Sequence, residues 1–135
     1  MDPMRNAKRP PVPRPTDAEL EILRALWDAG EATVRQVQEA VERRRSAGYT
    51  TVLKLLQIMT EKGLVERDES ERAHVYRARL ARHETERQLV GDLLDRAFGG
   101  SASRLVMQAL TSKAATPEEI AKVRKLLEEA SKEKR

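Results

Sequence analysis

The stretch GYTTVLKLLQIMTEKGLVERD, which runs from Gly48 to Asp68, changes its periodicity halfway along. Up to Lys62 the apolar residues recur at the spacing of one helical face. The members of this face are Val52, Leu55, Leu56 and Met59. Gly63 can end the helix in a left-handed conformation, and the residues after it have the pattern of a short strand. The stretch therefore predicts a helix that is followed at once by a strand.

Two further helices precede this one, and each opens with a capping box, in which two side chains satisfy backbone N–H groups at the helix start. TDAE begins the first helix at Thr16, and Gly30 ends it. TVRQ begins the second helix at Thr33, and this helix ends near Gly48. Apolar residues recur at helical spacing in both segments. The predicted order up to Lys62 is therefore helix, helix, helix.

A β-hairpin is predicted after the third helix. Residues 64–67 form its first strand and residues 75–77 its second, with the polar turn DESER between them. Three helices followed by a hairpin within residues 16–80 are the order of a winged helix, which is a helix-turn-helix core with a β wing. The predicted fold class is therefore mainly α with a small β-hairpin.

Residues 81–135 are predicted to form a helical dimerisation module. Three short amphipathic segments follow one another, with a break at Gly99-Gly100 and an N-cap at Thr116. Their aliphatic stripes are too thin to make a core alone, whereas packing on a second copy would bury them in a two-fold symmetric dimer. The residues assigned to this interface are Leu89, Leu93, Leu94, Phe98, Leu105, Val106, Leu110, Ile120, Val123 and Leu127.

Composition excludes several classes of protein. Residues 1–15 contain five of the six prolines, and they are predicted to form a disordered or extended basic arm. The absence of cysteine excludes disulfides and thiolate metal sites and is typical of cytoplasmic proteins. No apolar run approaches the roughly 20 residues of a membrane-spanning helix, so no membrane insertion is expected. The chain lacks a glycine-rich phosphate loop, a metal-spaced histidine pair and a plausibly activated nucleophile, so neither an enzyme nor a cofactor is predicted.

Polar side chains cluster at the start of the third helix, which is the helix that enters the major groove in a helix-turn-helix protein. Thr50, Thr51 and Lys54 share its outward face and could bond to base edges or phosphates. Alternatively, a threonine only caps the helix and Lys54 is solvated; the order of the helices favours DNA contact. The candidates for DNA binding are Arg43, Arg44, Arg45, Tyr49, Thr50, Thr51, Lys54, Lys62, Arg72 and His74.

Other roles remain open for several of these candidates. The triplet Arg43 to Arg45 could grip the DNA backbone, or it could be the solvated end of a helix whose dipole favours cations there. Arg72 and His74 could reach a phosphate or the minor groove, and an ordinary solvated hairpin would carry His74 equally well. The net charge of +4 is spread unevenly along the chain and is weak evidence by itself.

The segment YTTVLKLLQIMTEKGLVERDESERAHVYRA, residues 49–78, resembles the BlaI/MecI/CopY penicillinase-repressor family. The resemblance extends from TDAELEILRALWDAGEATVRQV through AFGGSASRLVMQAL to the last helix, or about residues 16–130. The early tryptophan, the YxTV start, the KGL before the wing and the late FGG-x4-LV keep their order and spacing. The resemblance implies a homodimeric winged-helix repressor on an inverted-repeat operator, typically with TACA/TGTA half-sites, that silences β-lactamase-type or other stress genes.

The resemblance also implies a route of release. It suggests a membrane sensor with a metalloprotease domain, whose activation leads to cleavage of the repressor. In the staphylococcal repressors the cut falls at an Asn-Phe bond just after the LV pair, and Gln108-Ala109 occupies that place here. Copper-responsive members carry cysteine pairs near the C-terminus, which this chain lacks. The family often has threonine in place of Lys54 and arginine in place of Ile58, so Lys54 could set a different operator preference.

Two hypotheses of different class follow. The first is a DNA-binding repressor. The second is an adaptor whose winged helix binds another protein and does not read DNA. Residues 43–67 contain six basic side chains and only two acidic ones, Glu61 and Glu66, which favours the first hypothesis. Salt-dependent binding to duplex DNA would separate the two.

Overall fold

The computed structural model describes residues 12–112 and 115–134, so the first eleven residues of the predicted arm lie outside the description. The chain forms two compact units, the first ending at Leu89 and the second beginning at Val90. No helix among the described residues is both long enough and apolar enough to span a bilayer. The elements in chain order are α1 (Asp17–Ala29), β1 (Ala32–Thr33), α2 (Val34–Glu42), α3 (Tyr49–Lys62), β2 (Val65–Asp68), β3 (Val75–Ala78), α4 (Arg82–Ala97), α5 (Ala102–Thr111) and α6 (Pro117–Glu133).

Both predicted capping boxes are confirmed. At the start of α1, Thr16 N donates to Glu19 Oε1 over 2.9 Å, and Glu19 N donates to Thr16 Oγ1 over 3.2 Å. At the start of α2, Gln36 takes the place of the glutamate, with 2.9 Å from Thr33 N to its Oε1. A glutamine therefore performs the same capping function in this chain as a glutamate.

The third helix has its predicted course and a different start. It begins after Gly48, and no side chain caps its first turn. It ends at Lys62, where Gly63 has a φ of +82° and Leu64 N donates to Met59 O over 2.9 Å. A side chain at that φ would be strained, so the glycine allows the chain to turn directly into the sheet. On the inner face Val52, Leu56 and Met59 are buried, while Leu55 is half-buried.

The wing hairpin is confirmed, and the sheet has a third strand that the sequence did not predict. Strands β2 and β3 pair antiparallel, with Arg67 opposite Tyr76. Strand β1 pairs with the other edge of β3, with Ala32 opposite Tyr76, so the strand order is β1-β3-β2. A strand of two residues immediately before a capping box is too short to show an alternating pattern. It ties the start of α2 to the wing.

One core lies within the first unit and receives residues from all three helices and the sheet. Its largest fully buried side chains include Tyr76, Ile22, Leu26 and Leu56. The last residues of the predicted arm also reach this core, because Pro15 is buried and Val12 packs against it. Gln88 Nε2 donates to Val12 O over 2.6 Å. Residues 12 and 15 of the predicted arm therefore pack against the folded unit.

The second unit differs sharply from the first in burial. None of its described residues is buried, and its helices still expose Leu93, Leu126 and Leu127. Thr116 caps α6 as predicted, with Glu119 N 3.1 Å from its Oγ1. Gly99 and Gly100 break the helical run with φ values of +54° and +81°.

Candidate nucleic-acid interface

The outward face of α3 carries polar side chains that make no hydrogen bond or ion pair with the rest of the described chain. Thr50, Thr51 and Lys54 are all exposed. Because Gly48 is the N-cap of α3 and no side chain caps the helix, neither threonine serves as its N-cap. Within residues 12–112 and 115–134, their hydroxyl groups and the Lys54 ammonium have no hydrogen bond or ion pair. The capping alternative is therefore removed, and these groups remain available to a ligand.

A groove of about 440 Å³ adjoins this face, between the start of α2, the start of α3 and the wing. It brings together three of the predicted DNA-binding residues, since Tyr49, Arg72 and His74 all line it. Tyr49 is 47% exposed, although it is the first residue of a helix with a buried inner face. The full lining is Thr33, Val34, Arg35, Tyr49, Leu53, Arg72, Ala73, His74 and Tyr76.

Arg35 is a basic residue of this groove that the sequence reasoning missed. It is exposed, and it forms no ion pair within the described residues. It follows Val34 in the first turn of α2, where the positive end of the helix dipole disfavours a cation. A cation in the first turn of a helix, where the dipole disfavours it, is the sequence signal that could have identified Arg35.

The arginine triplet does not join this groove. Arg43 and Arg44 line another groove, of about 240 Å³, whose wall includes the carboxylates Glu21 and Asp28. Arg45 Nε lies 3.0 Å from Glu21 Oε2. All three arginines are exposed, so a polyanion could still reach them. Their positive charge is offset in part by the carboxylates of α1.

Lys62 has a partner inside the protein. Its ammonium lies 2.9 Å from Glu19 Oε2, and the Glu19 side chain is only 2% exposed. Burial raises the pKa of Glu19, but hydrogen bonds from Thr16 and Lys62 outweigh that effect and hold the pKa below the ordinary value of 4.5. At neutral pH the Glu19 carboxyl group is therefore ionised, and the predicted contact of Lys62 with DNA competes with this internal contact.

The wing carries charges of both signs. Arg67 pairs with Glu69, and Arg77 Nε lies 3.4 Å from Glu66 Oε2. The turn is closed by Ser70 N, which donates to Asp68 Oδ1 over 2.9 Å and lowers the pKa of that carboxyl group. Arg72 and His74 are exposed and have no such pairing within the described residues.

Comparison with known proteins assigns this chain to a family. A family model described as penicillinase repressor matches residues 15–129. The chain belongs to the penicillinase repressor family. This is a family of transcriptional repressors, which are not enzymes.

Individual relatives resemble parts of this chain. The transcriptional regulator BlaI of Mycobacterium tuberculosis, in strains CDC 1551 and H37Rv, is 40% identical over 82 residues, which are 60% of this chain and 59% of the relative. The solution structure of the DNA-binding domain of the repressor BlaI is 20% identical and has a TM-score of 0.49. That of Bacillus licheniformis BlaI, as a monomer with the blaP half-operator, is also 20% identical, with a TM-score of 0.48. Each similarity covers 55% of this chain and 90% of the solved one.

Proposed function

We propose that this chain is a homodimeric transcriptional repressor that binds an inverted-repeat DNA operator, with α3 in the major groove. The observation that carries the proposal is the polar face at the start of α3, where the side chains of Thr50, Thr51 and Lys54 form no hydrogen bond or ion pair within the described residues. Hydroxyl and ammonium groups at the N-terminal end of a groove helix are placed to contact base edges.

The adjoining groove supplies contacts that hold the helix in register. Arg35 on α2 and Arg72 in the wing line the same groove as Tyr49. Contacts to phosphates carry no sequence information, but they fix the orientation of a protein on the duplex. In this proposal Thr51 and Lys54 contact bases, while Arg35, Arg72 and His74 contact the backbone on either side.

The second unit provides the proposed dimer interface. It buries none of its described residues alone, and α5 and α6 border an apolar groove of about 590 Å³. Leu110, Ile120 and Val123 line this groove together with Leu127. Of the other residues assigned to the interface, Leu93 is 49% exposed, and the rest are half-buried. A second copy of the chain would cover these side chains, and two tethered heads would match an inverted repeat.

Release of the repressor is proposed to act on the second unit. Gln108 and Ala109 are exposed, but both lie inside α5. A protease can cut a helical segment only after the segment opens locally, so cutting there needs a weak helix or a dedicated enzyme such as a membrane sensor-protease. Gly99 and Gly100 form a joint outside any helix, so a general protease should first remove the arm before Thr16 and next cut near Gly99.

The experiment that tests this function starts from a library of random DNA duplexes. The full-length chain should enrich an inverted repeat, and its binding to that duplex, measured by fluorescence anisotropy, should weaken steeply with salt. If the enriched repeat contains TACA/TGTA half-sites, the operator is of the type that the family resemblance implies. If no sequence is enriched and duplex binding does not depend on salt, the chain is not a DNA-binding repressor, and the adaptor hypothesis takes its place.

A further inference from the structure

The recognition helix α3 is held by a polar contact at its C-terminal end. Lys62 is its last residue, and the Lys62 ammonium donates to Glu19 Oε2 on α1 over 2.9 Å. The other carboxylate oxygen of Glu19 accepts from Thr16 N over 2.9 Å. Both oxygens of a buried carboxylate are thus engaged, so the position of Lys62 is defined relative to the first turn of α1.

The N-terminal end of α3 is held in a different way. Ala47 directly precedes Gly48, the uncapped start of the helix, and the Ala47 carbonyl accepts from Gln38 Nε2 over 3.0 Å. The second proton of the same amide goes to Glu42 Oε2 at 2.7 Å. Gln38 and Glu42 belong to α2, so this contact ties the first helix of the helix-turn-helix to the start of the second.

Apolar packing alone would leave α3 less well oriented. Val52, Leu56 and Met59 fix how deeply the helix sits, but the hydrophobic effect has no direction. Hydrogen bonds and ion pairs constrain both distance and angle. The helix has 14 residues and is about 20 Å long, so a small tilt at Lys62 shifts the whole outward face.

We propose that Lys62 is a positioning residue for DNA reading, which acts through Glu19 on the orientation of α3 and makes no contact with a phosphate. The proposal rests on the proposed DNA-binding function. A phosphate that captured Lys62 would leave the Glu19 carboxylate buried without its cation, which is strongly unfavourable. Lys54, eight residues earlier on the same helix, has no such partner within the described residues and is free to bind DNA.

Four single variants of the full chain separate positioning from contact. Lys62→Met removes the ammonium and keeps much of the aliphatic length, while Lys62→Arg keeps the charge. Glu19→Gln removes the charge of the partner and keeps the capping box, as Gln36 does at the start of α2. Lys54→Met is the matched control, because the same substitution is made on the same helix at a residue without an internal partner.

The probes are the duplex enriched by the wild-type chain and a duplex of unrelated sequence, each titrated at several salt concentrations. We expect Lys62→Met and Glu19→Gln to weaken binding to the enriched duplex about tenfold, within the range for loss of one base contact. Neither should change the salt slope or the binding to unrelated DNA. Lys62→Arg should retain most of the affinity, and the Glu19→Gln/Lys62→Met double variant should lose no more than either single variant. Thermal unfolding curves of all variants are measured first, and binding is assayed at a temperature at which every variant is folded.

Several results would overturn the proposal. If Lys62→Met reduces the salt slope by about one per head, then Lys62 contacts a phosphate. If Lys62→Met and Glu19→Gln bind the enriched duplex like the wild type, the pair does not position the helix. Should Lys62→Met unfold below the assay temperature, Glu19→Gln alone decides between these outcomes. A wild-type chain that binds no duplex would refute the proposed function itself. Binding of the wild type is therefore measured before that of any variant.

Discussion

Replacing Leu127 by aspartate should disrupt the proposed dimer without disturbing the winged helix. Leu127 lines the groove of the second unit and is 54% exposed in a single chain. Complete burial of a leucine side chain is worth about 1.5–3 kcal/mol, so covering the exposed half contributes about 0.8–1.5 kcal/mol. Two-fold symmetry places the residue in the interface twice, which gives about 1.5–3 kcal/mol. Since 1.4 kcal/mol corresponds to a factor of ten, Leu127→Asp should weaken dimerisation by at least about tenfold.

Sedimentation equilibrium over a range of chain concentrations measures this change directly. Lys125→Asp introduces the same side chain into α6 at a residue that does not line the groove, and it should leave the dimer nearly as strong as in the wild type. Circular dichroism should show equal helix content at concentrations where both variants have the same oligomeric state. A wild-type chain that is monomeric at micromolar concentration would refute the reasoning, as would equal effects of the two substitutions.

Three further predictions concern the first unit. If Lys54 contacts a base, Lys54→Ala should weaken DNA binding by about 1–3 kcal/mol and relax selectivity at one operator position. Binding measured on a series of duplexes with single-base changes would show this loss of selectivity. Unchanged affinity would exclude the contact. Arg35→Ala should weaken binding on all sequences alike and reduce the salt slope by about one per head, whereas Arg24→Ala, outside the groove, should not. Because folding lowers the pKa of Glu19, its carboxylate stabilises the fold at pH values above about 4.5, and this contribution is lost as the pH falls through the folded-state pKa; the urea midpoints of wild type and Glu19→Gln should therefore converge at acidic pH.

Local signals in the sequence were sufficient to predict most of the fold. Thr16, Thr33 and Thr116 all cap the helices assigned to them, because an N-cap depends on residues no more than three positions away. Gly63 ends α3 in the left-handed region for the same local reason. The two-residue strand β1 was missed because it exists only through its pairing with β3, which lies about 40 residues further along the chain.

The candidate site was harder to predict than the fold, since its residues come from distant segments. Exposure and local charge predicted Thr51 and Lys54 on the face of α3. The same criteria could not separate Lys62 from Lys54, because the partner of Lys62 is Glu19, 43 positions earlier in the chain. Nor could they place Arg35 beside Arg72, which the fold brings to one groove. Net charge along a segment does not determine which cations are already neutralised by the fold.

The contrast between the two units bears on how such a repressor would respond to its own concentration. The first unit buries its apolar residues in a core of its own, so the face proposed to read DNA is set within one chain. The second unit leaves Ile120, Leu126 and Leu127 substantially exposed, and a second copy of the chain is proposed to cover them. Under the proposed function, the stability of each head is independent of concentration, whereas the linkage between two heads is not. If dilution or cleavage separated the two second units, one head could leave the operator without being held near it by the other, while each head stayed folded.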